Sequence, residues 1–173
     1  MITLMASRFQ TGMQGVFLAA AELTYRGFVV SLTARNAFGA DLLVTDDQCQ
    51  HAWSVQVKTN QDTSANFWLL NAHTENLKSD SHVYVFVALR GNQRPSFLVV
   101  PSRIVADNVL KETARSGSVW YSFMRDTKWP HKDEGWGESF GSLGRIPDPE
   151  NPSPPLPKPE ELGTPTQDTS QHG

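Results

Sequence analysis

Asp41-Leu-Leu-Val-Thr45 and, after a polar stretch, Trp53-Ser-Val-Gln-Val-Lys-Thr59 decide how this chain folds. The first segment is a short apolar run and the second alternates between two faces, so both read as β-strands. Residues 46–51 between them are polar and few, which suits an antiparallel hairpin with a loose tip. Side chains two apart on a strand share a face. Gln56 and Lys58 therefore point one way, while Val55 and Val57 point the other way into apolar packing. Asp41 opens the preceding strand, and hairpin pairing carries its carboxylate alongside the polar pair. A carboxylate and an amide oxygen are hard ligands that suit Mg²⁺. A nearby ammonium can orient or deprotonate an attacking water, or stabilise a pentavalent phosphate. The expected site is Asp41 and Gln56 as metal ligands beside Lys58, converging at one exposed concave edge.

Upstream, Gln14-Gly-Val-Phe-Leu-Ala-Ala-Ala-Glu-Leu-Thr-Tyr-Arg26 places Val16, Phe17, Ala20 and Leu23 at helical spacing, and Gly27 supplies a stop. Phe28-Val-Val-Ser-Leu-Thr33 is β-branched and short, a third strand. Downstream, Phe67-Trp-Leu-Leu70, Val83-Tyr-Val-Phe-Val-Ala-Leu89 and Phe97-Leu-Val-Val100 read as further strands. The middle one is nearly continuous in apolar character and so belongs inside the sheet. Residues 102–115 suit a helix, with Pro101 and Ser102 as entry signals and Ile104, Val105, Val109 and Leu110 as its stripe. The aromatic stretch with Trp120, Tyr121, Phe123, Trp129, Trp136 and Phe140 lacks a clean period and reads as an irregular cover. The pattern predicts an α/β fold, a mixed β-sheet flanked by helices.

The chain's 173 residues make one ordinary domain with an excess. The excess is residues 146–173, where Pro-Asp-Pro-Glu-Asn-Pro-Ser-Pro-Pro-Leu-Pro-Lys-Pro leads into a polar run with too little apolar surface to offset ordering entropy. It reads as a disordered, solubilising, Pro-rich acidic tail on a domain of residues 1–145; a second reading is a polyproline II ligand for a partner. Charge follows the same boundary. Residues 1–145 hold 14 Lys and Arg against 13 Asp and Glu, whereas the tail sets Lys158 against five acids. A near-neutral body lacks the basic face of a protein that coats nucleic acid through its phosphates, so any such binding is local. Cys49, the single cysteine, fits a reducing compartment, and no stretch approaches the roughly 20 apolar residues of a membrane span. The expectation is a cytoplasmic protein with no membrane contact.

Taken together, the leading helix, Gly27-Phe28, Gly39-Ala-Asp41-Leu-Leu-Val44, Ser54-Val-Gln-Val-Lys-Thr59 and Val99-Val-Pro-Ser102 resemble the PD-(D/E)XK nuclease superfamily. The resemblance is to its small bacterial endonuclease-like families with a D…QVK signature, and it covers most of residues 1–145. It implies a restriction-endonuclease-like fold and Mg²⁺-dependent (or Mn²⁺-dependent) hydrolysis of DNA phosphodiesters. Carried over by position, Asp41 and Gln56 bind the metal and Lys58 assists the attack by water. Paired cuts by such enzymes usually require a dimer, so a homodimer is implied too. Many relatives carry a Glu at the start of the leading helix, where this chain has Val16. Glu22, the helix's only acid, points roughly 240° around from it at about 100° per residue.

Arg35 and Asn36 before Asp41, and Thr59 and Asn60 after Lys58, are candidate contacts to a nucleic-acid backbone. His51, His73, His82, His131 and His172 lack the close pairing of a zinc site. The missing helix carboxylate leaves an alternative to catalysis: a degraded nuclease fold that binds nucleic acid or a protein without cutting.

Overall fold

The computed structural model describes residues 7–34, 39–61, 66–125 and 132–140. The tail at 146–173, with its expected disorder, lies outside them, as do Arg35, Asn36 and Trp129. The architecture is mixed α/β. Helix α1 (Arg8–Tyr25) leads into strands β1 (Val29–Leu32), β2 (Leu42–Thr45), β3 (Ala52–Asn60) and β4 (Phe67–Leu70), then a 3₁₀ turn (Ala72–Asn76). Strands β5 (His82–Arg90) and β6 (Gln93–Pro101), helix α2 (Ser102–Asn108), strands β7 (Leu110–Thr113) and β8 (Val119–Met124), and helix α3 (Trp136–Phe140) follow.

Helix α1 starts earlier than its apolar periodicity suggests, because Ser7 and Gln10 form a capping box: Gln10 N–H donates to Ser7 Oγ at 3.2 Å and Ser7 N–H to Gln10 Oε1 at 2.8 Å. It ends as expected at Gly27, whose φ of 90° suits a residue without Cβ. There Phe28 N–H returns to Leu23 O and Gly27 N–H to Thr24 O, the paired bonds of a Schellman stop. The buried face is Thr11, Gly15, Val16, Ala19 and Leu23. Phe17, expected in the stripe, is 56% exposed. Small residues take its place because the helix lies close on β3: a Cβ on Gly15 would sit 1.8 Å from Thr59 Oγ1.

The main sheet runs β1-β2-β3-β5-β6, antiparallel except where β3 meets β5 in parallel. The β2–β3 hairpin forms as read, but its tip is fastened. Asp46 accepts from Gln50 N–H at 2.7 Å and holds His51 Nδ1 at 2.6 Å, while Cys49 takes a φ of 54° at the exposed turn. On one face, Val16, Ala19 and Leu23 of α1 pack with Leu42, Val44, Val55, Val57, Val85 and Val99 of the sheet. Trp136 and Phe140 close that core, and Arg26 lies over the Trp136 ring at 4.6 Å. The opposite face buries Tyr84, Phe86, Ala88, Leu98 and Val100. Burial on both faces explains the unbroken apolar run of β5.

Two expectations fail beyond Pro101. The helix stops at Asn108, whose side chain donates to Ile104 O at 2.9 Å, and Leu110–Thr113 of the expected helix form strand β7. The aromatic stretch is not irregular at Trp120–Phe123, which belongs to β8. A turn at Gly117, φ 84°, joins the two strands, and Ala114 N–H closes on Ser118 O. With β4, they make a second sheet in the order β4-β8-β7. Phe123 stacks on Phe86 at 5.0 Å and Trp68 Nε1–H donates to Val87 O, so this sheet covers the β5–β6 half of the main sheet. Among the described residues nothing covers the β1–β3 half: Leu43, which shares that face with Ser54, is 53% exposed. Among the described residues, no helix is long and apolar enough to cross a membrane.

Candidate active site

Asp41 sits one residue before β2 and extends its ladder, its N–H donating to Val55 O at 2.8 Å. Thr33 pins the approach, donating from its hydroxyl to Ala40 O and from its N–H to Asp41 O, just after the left-handed bend at Gly39. Because Leu42 pairs with Val55, Asp41 stands beside Gln56. One carboxylate oxygen, Oδ2, accepts both Gln56 Nε2–H at 2.5 Å and Val57 N–H at 2.8 Å. The side chain thereby satisfies a backbone donor of β3 and fixes its own direction.

Lys58 follows on the same face, opposite Phe86 in the parallel ladder and beside the stacked rings of the second core. This half-buried position lowers the ammonium's pKa from its ordinary value through desolvation, and the charge of Asp41 pulls it back up. The structure thus brings Asp41, Gln56 and Lys58 together where the open half of the face meets the covered half. Asn60, also on this face, donates from its amide to Phe67 O at 2.8 Å, tying the end of β3 to β4. Thr59 is placed differently from the expected phosphate contact: its hydroxyl is buried on the opposite face, against Gly15 of α1.

For a divalent cation, the chain offers the second Asp41 oxygen and the Gln56 carbonyl oxygen. Among the described residues, no three His, Cys, Asp or Glu side chains cluster as metal ligands. Such a donor set fits Mg²⁺, which keeps several waters and binds through one or two carboxylates plus substrate phosphate. It does not fit a metal that needs an all-protein cage.

Sequence reasoning missed two residues beside this group. Ser54, one strand repeat before Gln56 on the same face, lies with Oγ 2.7 Å from His82 Nδ1 and 3.3 Å from Ser81 O. Alternation alone could have found Ser54; His82 could not be found, because it depends on the parallel register of β3 with β5. His82 is 4% exposed, packed edge-on against Tyr84, and burial, aided by His73, pushes its pKa down to about 4. The ordinary value is 6.5, so the folded state holds this imidazole neutral. The fold therefore feels no titration of this group above pH 6.5 and loses on the order of 3 kcal/mol of stability as pH falls from there through about 4. His82→Asn should flatten urea-measured stability across that window. A pH dependence identical to wild type would count against a buried neutral imidazole.

No protein-family model and no curated protein sequence matches the chain. Solved structures similar in trace include a bacterial homing endonuclease, I-Ssp6803I, with 18% identity and a TM-score of 0.45, covering 77% of this chain and 86% of that one.

Proposed function

We propose that this chain is a Mg²⁺-dependent nuclease that hydrolyses DNA phosphodiesters with Asp41, Gln56 and Lys58. The observation that carries this reading is Lys58: an ammonium held half out of water, lowered in pKa, and set beside a fixed carboxylate. Stability alone gives no reason to place a lysine there, and groups shifted by desolvation beside a charged neighbour are found at functional sites more often than elsewhere. In this reading Asp41 and Gln56 hold the cation, which when bound supplies charge neutralisation and an acidified water. Asp41 is kept in place by Val57 N–H and by β3 itself. Lys58 donates to the phosphate oxygens as negative charge builds in the transition state, and its poor hydration makes that donation stronger. The same reading makes DNA the partner, Mn²⁺ a substitute metal, a homodimer the unit for paired cuts, and the cytoplasm the compartment. The Pro-rich tail stands outside this reading as a solubilising segment, with a polyproline II ligand for a separate partner as its alternative.

Supercoiled plasmid and single-stranded and branched DNA, incubated with Mg²⁺ or with EDTA, test the proposal. Metal-dependent nicking is expected, and Asp41→Asn should shift its Mg²⁺ requirement upward, with partial recovery in Mn²⁺. One specific observation favours a second reading: a single carboxylate at the site, with no acidic cluster among the described residues. Retention of DNA without any cleavage, in either metal, would replace the nuclease by a degraded fold that only binds.

A further inference from the structure

We propose that Ser54, backed by the buried imidazole of His82, is a phosphate-gripping residue for the nucleic-acid strand that crosses the open half of the sheet. This inference rests on the nuclease-type reading for the identity of the ligand. Its own support is the geometry at Ser54.

Ser54 lies on the face of β3 that carries Gln56 and Lys58, and its β2 partner Leu43 leaves that part of the face uncovered. Along a strand, side chains two residues apart are separated by about 6.6 Å. A strand whose reacting phosphate sits at Asp41, Gln56 and Lys58 can thus bring a neighbouring phosphate to Ser54. The hydroxyl is only loosely committed within the protein. Its hydrogen bond to Ser81 O is long, at 3.3 Å, and that carbonyl already accepts Ser54 N–H at 2.8 Å. Behind it stands His82, whose Nδ1 is 2.7 Å from Oγ and whose Nε2 is buried without a partner among the described residues. A buried imidazole with one unpaired nitrogen costs stability, so folding does not explain its presence.

One tautomer accounts for all of this. With the proton on Nδ1, His82 donates to Ser54 Oγ, and the hydroxyl proton, held only by the long bond to Ser81 O, is free to turn outward to a phosphate. A hydroxyl that receives a hydrogen bond from behind is polarised as a donor, and phosphate oxygens are the acceptors that serine hydroxyls commonly meet on nucleic acid. The unpaired Nε2 then carries only a lone pair. His82 acts through Ser54 and is a positioning residue.

Affinity of the full chain for a 20-base-pair duplex, measured by fluorescence anisotropy with Ca²⁺ in place of Mg²⁺, reads binding apart from cleavage. Ser54→Ala should weaken binding about tenfold, and Ser54→Thr should restore it. His82→Asn, which keeps a donor near the Nδ1 position, should bind like wild type, whereas His82→Leu should match Ser54→Ala. Ser54→Lys adds a cation where the phosphate is expected, so its plot of log affinity against log salt should steepen by about one. Purely structural roles for Ser54 would not move that slope. Ser54→Ala with wild-type affinity, or Ser54→Lys with the wild-type slope, overturns the inference while leaving the nuclease reading intact. A wild-type protein that holds no DNA overturns both.

Discussion

Lys58→Met should lower cleavage by at least about a hundredfold, the scale of losing one preorganised donor at a developing oxyanion, while leaving the protein as stable as wild type or more so. The two halves of this result have one cause. Desolvation lowers the Lys58 pKa in the folded state, so at neutral pH the charged form is held against its preference. For a lysine with a depressed pKa, the energetic cost is full at pH values below the folded pKa and fades as pH rises from there to the ordinary value of 10.5. An unbranched methionine of similar length removes that cost and keeps contact with the apolar surface around Phe86. Loss of cleavage with unchanged or raised melting temperature would separate a catalytic lysine from a structural one. Lys58→Arg should not restore activity, since a planar guanidinium has a different shape and remains charged. A fully active Lys58→Met protein would remove Lys58 from the mechanism.

The β2–β3 hairpin could be read from sequence because every cue agreed: an apolar run, an alternating run and a short polar connection. Strand alternation then correctly assigned Gln56 and Lys58 to one face and Val55 and Val57 to the other, and the register set Asp41 beside Gln56. What alternation could not show is how much of that face is covered. The second sheet arises from contacts far apart in sequence, between Trp68 and Phe123 and from both to Phe86, so the low-dielectric setting of Lys58 had no local signal. The same distance hid His82 behind Ser54. Other misses had local signals that were outweighed. Ser7 and Gln10 marked the true start of α1, and Ser116-Gly117 marked the β7–β8 turn, but the apolar spacing of Val105, Val109 and Leu110 also fits a helix. Thr59 was assigned to the site by proximity in sequence, although its odd-numbered position on β3 places it with Val55 and Val57 under α1.

That division of the sheet changes what Val16→Glu should do. If the start of α1 faced Asp41, a glutamate at this position would add the carboxylate that relatives of the resembled superfamily carry and would strengthen metal binding. In the structure Val16 is 7% exposed and packs in the core with Val55, Val57 and Leu42, on the face away from Gln56 and Lys58. A glutamate there must either ionise in an apolar core or stay protonated and unpaired, and it also exceeds the space that valine fills. The expected outcome is a loss of about 3 kcal/mol or more and a fall in melting temperature on the order of 10 °C. Val16→Ala should cost less, since it leaves a small cavity but buries no polar group. Added Mg²⁺ should not rescue Val16→Glu, because the new carboxylate and the Asp41 oxygens lie on opposite sides of β3. A Val16→Glu protein that keeps its melting temperature, and gains further stability from Mg²⁺ when wild type does not, would show that the helix start reaches the metal site. The placement of α1 over the valine face would then be wrong.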